Sequence, residues 1–161
     1  AIFVYFSEHY AFWRKELGNR VPFGASGENL TVAGMDEPAL NVGDVFQIGT
    51  VDATVTEPRV PCYDLNIKFD RRDIVKRLLA TGQSGAYLSV KTEGQIQSGD
   101  RFVLKEPHPD KVAIRTVYRL YAGEGNREDY DRVISLDALP ESWGSYFIQR
   151  GYQTGSGVQD V

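Results

Sequence analysis

The segment Thr56-Glu57-Pro58-Arg59-Val60-Pro61-Cys62-Tyr63-Asp64-Leu65 carries the only cysteine of the chain, with two prolines shortly before it. Each proline fixes its own φ and pushes the residue before it into extended backbone. A strand ending at Pro58 would therefore present Cys62 at a set place just beyond it. Arg59 and the cations after it favour thiolate over thiol, and a helix starting near Cys62 would add its positive N-terminal end. The competing reading is a buried, inert cysteine, the usual fate of a lone one.

Two glycine-rich turns are the other candidates. In Gly24-Ala25-Ser26-Gly27-Glu28-Asn29-Leu30, glycines let backbone N–H groups approach an anion, and the Asn amide both donates and accepts. Thr81-Gly82-Gln83-Ser84-Gly85-Ala86-Tyr87, taken in isolation, reads better as a helix stop and a turn than as a site. Only His9 and His108 stand beside Cys62 as nitrogen or sulfur ligands, too few for a structural zinc site. Neither histidine has a motif that would make a cysteine–histidine hydrolase.

Periodicity and turn chemistry give the elements that must position these residues. Ser7 can cap a helix through Leu17, stopped at Gly18-Asn19, in which Tyr10, Trp13 and Leu17 form a core-facing stripe. Leu30–Val32, Asp44–Ile48, Val51–Thr56, Ala86–Val90 and Arg101–Leu104 read as strands, with Gly49-Thr50 as a hairpin turn. Val42-Gly43-Asp44-Val45-Phe46 echoes Ser98-Gly99-Asp100-Arg101-Phe102, two related turns leading into strands. Asp73 can cap a helix over Ile74–Ala80 that Gly82 ends. After the stiff Pro107-His108-Pro109-Asp110, the pattern becomes helical over Val112–Tyr121, Arg127–Val133 and Ser142–Gln149, and Gly155-Ser156-Gly157 reads as a frayed tail. The expected architecture is mostly β with α: a β body over residues 1–109, then a small three-helix region over 110–161.

The chain of 161 residues is 42% hydrophobic, enough for one real core, and no apolar run approaches the roughly 20 residues that span a bilayer. The opening Ala-Ile-Phe-Val-Tyr-Phe has no basic stretch before it and ends too early for a signal peptide. One cysteine forbids an intrachain disulfide and fits a reducing cytoplasm. The net charge of −4 argues against a nucleic-acid partner. Yet Arg59 to Arg77 holds six cations against three acids, leaving −7 on the rest. Such an island suits a small anionic ligand, or is an ordinary solvated helix face.

Together, Gly27-Glu28-Asn29-Leu30-Thr31, Gly43-Asp44 opening a strand, and Pro58-Arg59-x-Pro61-Cys62-Tyr63 resemble the MOSC family, named for the C-terminal domain of molybdenum cofactor sulfurases. Ser84–Tyr87 and the helical C-terminus resemble its bacterial branch with a three-helix extension. The resemblance implies a MOSC-type β-barrel body carrying a molybdenum–pterin cofactor, with Cys62 as catalytic residue and metal ligand. It places Arg59, Asn29, Glu28, Gly27, Ser84 and Gly85 around the cofactor, Arg59 foremost because guanidinium pairs with phosphate in a bidentate way. It also implies reduction of N-hydroxylated compounds by N–O bond cleavage, with electrons from a separate reductase and no membrane partner; the oligomeric state is not implied. A sulfur carrier with a Cys62 persulfide and a non-catalytic fragment are the alternatives. Members of this branch carry a His-Gly-Gly-type segment before the stretch that Ala1–Tyr5 resembles, so the barrel is expected to be N-terminally incomplete with open edges. Asp64 stands where the family commonly has Lys, one cation fewer beside the cysteine.

Overall fold

The structure is a computed structural model that describes residues 1–18 and 21–154; the Gly155-Ser156-Gly157 segment lies outside the described residues. Six strands, β1 (Ile2–Phe6), β2 (Leu30–Val32), β3 (Val45–Ile48), β4 (Val51–Pro58), β5 (Ala86–Thr92) and β6 (Phe102–Glu106), form one sheet in the order β2-β1-β5-β4-β3-β6. It is a mixed sheet, antiparallel except for the β1–β2 pair, and it curls into a half-barrel. The helices are α1 (Ser7–Leu17), α2 (Asp64–Lys68), α3 (Ile74–Thr81), α4 (Ile114–Tyr121), α5 (Arg127–Ile134) and α6 (Glu141–Thr154).

β1 explains the unbroken apolar run that opens the chain. Its side chains alternate between two cores, so both faces need apolar residues. Val4 and Phe6 join the larger cluster, with Phe46, Val55 and Leu88 of the sheet, Val42 of the turn before β3, and Val117, Val133 and Phe147 of α4–α6. Phe3 and Tyr5 face the other way, onto Tyr10 and Trp13 of α1, Leu65 of α2, and Ile74 and Leu78 of α3. The C-terminal helices therefore share one core with the sheet. Their attachment begins before α4, where Val42 N–H donates to Val112 O at 2.9 Å and Ile114 N–H to Leu40 O at 2.8 Å.

The two echoing turns are the same structure. Gly43 and Gly99 both have positive φ (89° and 94°). Asp44 and Asp100 each accept, through Oδ2, the backbone N–H three residues earlier, from Asn41 at 3.0 Å and Gln97 at 2.8 Å. They lead into β3 and β6, which are neighbours in the sheet.

Neither residue expected to cap a helix in the N-terminal half makes a side-chain capping hydrogen bond. β1 runs into α1 without a linker, so the buried Phe6 occupies the cap position and Ser7 is already helical, its hydroxyl donating to Glu8 Oε2. Asp73 does occupy the cap of α3, but its backbone (φ −108°, ψ 0°) is not the extended form that turns a cap side chain inward. Its carboxylate instead takes Arg71 and Arg77, and Asn66 Oδ1 accepts the Val75 N–H at 3.0 Å. Asn126 forms a full capping box with Asp129 at the start of α5.

Candidate functional site

β4 is locally bulged near its end: Val55 lies opposite Leu88, but Glu57 opposite Tyr87 and Pro58 opposite Ala86. Bulges bend a strand and re-aim the residues beyond them. Arg59 N–H still reaches Gly85 O at 3.4 Å, and then the chain leaves the sheet through Val60 and Pro61. Cys62 comes next and is exposed, contrary to the buried, inert reading. The helix expected near it is α2, only five residues long, whose first turn is closed by Leu65 N–H on Cys62 O at 3.1 Å. The thiol donates to Asp64 Oδ2 at 3.4 Å, so the sulfur's polar neighbour is an acid rather than the expected arginine. Tyr63 and Ile67 are exposed beside it.

Arg59 turns to the other side of this segment. Its guanidinium lies 4.8 Å from the Phe3 ring centroid, a cation–π contact. It lines a small cavity with Tyr5, Ser26, Pro61, Ser84 and Tyr118, among others, which has about 10 Å³ of space, room for about one oxygen-sized group. Two atoms of lining residues, Tyr118 Oη and Gln83 Oε1, are buried without a hydrogen-bond partner. Burial pushes the Tyr118 hydroxyl well above the usual phenol range, Tyr121 and Glu37 add to this, and Arg59 opposes it, so it stays a neutral donor.

Ser84 is buried, with its hydroxyl on Gly85 O at 2.8 Å. Gly85 has φ +68°, and a Cβ there would sit 2.4 Å from Val4 O. Its N–H donates to Glu37 Oε1 at 2.8 Å, and Glu37 Oε2 pairs with His9 Nε2 at 2.8 Å. Glu37 and His9 are both buried, so the turn hangs on an internal pair.

The glycine loop before β2 reaches the small cavity through Ser26; Gly27, Glu28 and Asn29 do not line it. Asn29 clamps β1, with Oδ1 accepting from Phe3 N–H at 2.7 Å while its own N–H donates to Phe3 O at 2.8 Å. Glu28 Oε1 accepts from Tyr10 Oη, Gly24 N–H and Thr31 Oγ1, while Oε2 is buried without a partner. Partial burial opposes ionisation of Glu28, but those hydrogen bonds outweigh it and hold its carboxyl below the usual range. Burial and the bond to Glu28 push Tyr10 up to about 12.

Of the six cations of the island, Arg77 pairs with Asp73 and Glu16, Arg71 pairs with Asp73, and Arg59 lies over the Phe3 ring and lines the small cavity. Ser26, Gln83 and Tyr118 were missed from the sequence. Ser26 and Gln83 lie inside the two glycine turns already marked, whereas Tyr118 is hidden in the apolar stripe of α4 and gives no local signal.

Among the described residues no group of three or more His, Cys, Asp or Glu could hold a metal ion. A bare metal therefore finds no cage among the described residues, but a cofactor that brings most of its own ligands needs only one protein donor. Exposed Cys62 supplies a soft one. The unpartnered Tyr118 Oη, a hydroxyl donor on a wall of the cavity that Arg59 also lines, is a polar group that an anionic appendage of such a cofactor would satisfy. The residues fit that kind of group.

A half-barrel with an exposed cysteine just past a double-proline strand end defines a class, and likeness to known proteins agrees with it. The MOSC domain model matches residues 1–103, and the chain belongs to the MOSC domain family. It is 34% identical to the uncharacterized protein YflK of Bacillus subtilis over 151 residues, 93% of this chain and 68% of that one. A protein named reductase from Gibberella moniliformis is 34% identical over 146 residues, covering 88% of this chain and 24% of the fungal protein. The crystal structure of YiiM from Geobacillus stearothermophilus superposes with a TM-score of 0.89 at 35% identity, covering 93% of this chain and 77% of that one. The chain thus spans about two thirds of YflK and a quarter of the reductase.

Proposed function

We propose that this chain is the cofactor-binding body of a cytoplasmic reductase that cleaves N–O bonds of N-hydroxylated compounds, with Cys62 ligating the molybdenum of a molybdenum–pterin cofactor. Membership of the MOSC family and the reductase-named relative support the class. The observation that carries the reading is the pairing of an exposed Cys62 with the adjacent Pro61-walled cavity, lined by Arg59 and by Tyr118, whose buried hydroxyl has no hydrogen-bond partner.

In this reading the Cys62 thiolate is the protein's donor to the metal, held by the bulged end of β4 and by Pro58 and Pro61. Arg59 and the Tyr118 hydroxyl receive an anionic oxygen, and the Ser84–Gly85 turn, hung on Glu37, keeps that pocket in shape. The bound group supplies two-electron redox chemistry, and its electrons come from a separate reductase. What this chain contributes is ligation, anion recognition and position.

The test is molybdenum and pterin content of the chain purified from a host that makes the cofactor, for wild type, Cys62→Ser and Arg59→Ala. Both variants should fold, since Cys62 is exposed and Arg59 makes no buried ion pair among the described residues, and both should lose cofactor. Equal occupancy in all three overturns the reading. The exposure of Cys62 also favours a second reading, a sulfur carrier, for which mass spectrometry of the wild type would find one added sulfur on Cys62.

A further inference from the structure

Just past Cys62 the chain displays an apolar face. Tyr63 already has helical backbone at the start of α2, and Ile67 stands one turn on, so the two side chains share one side of that helix. They are 66% and 67% exposed, large apolar groups in water directly beyond the exposed thiol. The other side of α2 is anchored. Leu65 is buried with Ile74 and Leu78 of α3, and Asn66 accepts from Val75 N–H at 3.0 Å and donates to Arg72 O at 3.2 Å.

Free cations follow this face along the chain. Lys68, Arg72 and Lys76 are exposed and form no ion pair among the described residues, whereas Arg71 and Arg77 are paired with Asp73 and Glu16. Asp64 and Asp70 are exposed on the same stretch, yet from Cys62 to Arg77 five cations stand against three acids, a surplus of two on a chain of net charge −4. Apolar residues beside a cationic stretch suit an acidic partner, and a patch this small suits the brief encounters of electron-transfer proteins. We propose that this face docks an acidic flavodoxin-type FMN protein, which delivers electrons beside Cys62. The inference rests on the reading of Cys62 as metal ligand of a reductase fed from outside the chain, since a donor must approach that ligand and Tyr63 is its neighbour. Reductive cleavage of an N-hydroxyl takes two electrons and two protons and leaves an N–H and water. A fully reduced FMN supplies both electrons and both protons and returns oxidised, whereas a single [2Fe–2S] or haem carrier supplies one electron.

Isothermal titration of the purified chain with an oxidised, acidic flavodoxin, and no molybdenum cofactor added, tests the face itself. Binding with a Kd on the order of 50 µM at about 20 mM salt, weakened about tenfold at about 300 mM, is expected. Lys68→Glu and Arg72→Glu should each weaken it about tenfold, and Ile67→Ser about fivefold. Arg101→Glu changes the net charge equally but lies at the far end of the sheet, next to Phe102, which pairs with Ile48 as Ile48 pairs with Val51 at the start of β4; it should leave binding unchanged. All four positions are exposed, and circular dichroism checks that each variant folds. No heat with flavodoxin up to about 1 mM, equal losses for Arg72→Glu and Arg101→Glu, or a [2Fe–2S] ferredoxin binding more tightly than flavodoxin would each overturn the proposal. Flavodoxin binding by a chain that takes up no molybdenum would uphold the face and refute only the metal-ligand reading of Cys62.

Discussion

Glu37 accepts the backbone N–H of Gly85 at 2.8 Å across 48 residues of sequence, and its other oxygen holds the buried ring of His9. One carboxylate thus ties a 3-10 turn (Glu37–Ala39), α1 and the turn before β5. Glu37→Ala would leave His9 and the Gly85 N–H buried without partners. We expect a loss of about 3 kcal/mol in urea unfolding, the scale of a broken buried pair. Glu37→Gln, whose amide oxygen still accepts from Gly85, should recover part of it. A loss under about 0.5 kcal/mol for the alanine variant would show the pair to be dispensable.

Gly85 and Gly27 both have positive φ, at 68° and 86°, but differ in their surroundings. A Cβ on Gly27 meets nothing within 4 Å, whereas one on Gly85 meets Val4 O at 2.4 Å and the Phe3 ring at 2.8 Å. Gly27→Ala should cost about 1 kcal/mol, the strain of a left-handed residue alone. Gly85→Ala adds a clash with β1 and should cost about 3 kcal/mol or more. Equal thermal midpoints for the two variants would contradict this packing.

The depressed carboxyl of Glu28 makes part of the stability depend on pH. Its folded pKa lies below the unfolded value of about 4.3, so the unfolded state binds protons first as the pH falls. The advantage of wild type over Glu28→Gln should be complete above that unfolded value and shrink as the pH drops through the lower folded one. Urea midpoints of both proteins across the acid range measure it. A difference that stays constant would mean that Glu28 acts only as a neutral acceptor.

Val112, Ile114, Val117 and Leu120 pack in the same core as Val42, Phe46 and Val55. Removing residues from 112 onward should expose that face of the sheet and cause aggregation on size-exclusion chromatography. A monomeric, soluble truncated body would show that the helices are an independent unit.

Local chemistry in the sequence determined a good deal. Alternation located β2–β6, Gly82 in the left-handed conformation stopped α3, Asn126 capped α5, and the paired Gly-Asp turns before β3 and β6 proved to be one structure. Pro58, Pro61 and Cys62 marked the place where the chain leaves the sheet. What escaped were features set by partners far along the chain. β1 has no alternation because two cores cover its two faces, and α1 has no side-chain cap because a strand runs straight into it. The sequence put Arg59 beside Cys62, three residues away, but tertiary packing sent the guanidinium over Phe3 and left Asp64 at the sulfur. It also brought Tyr118 of α4 to the Arg59 cavity and Trp143 of α6 to Glu57. A side chain's direction depends on which surfaces bury it, and those surfaces come from residues that spacing along the chain does not connect.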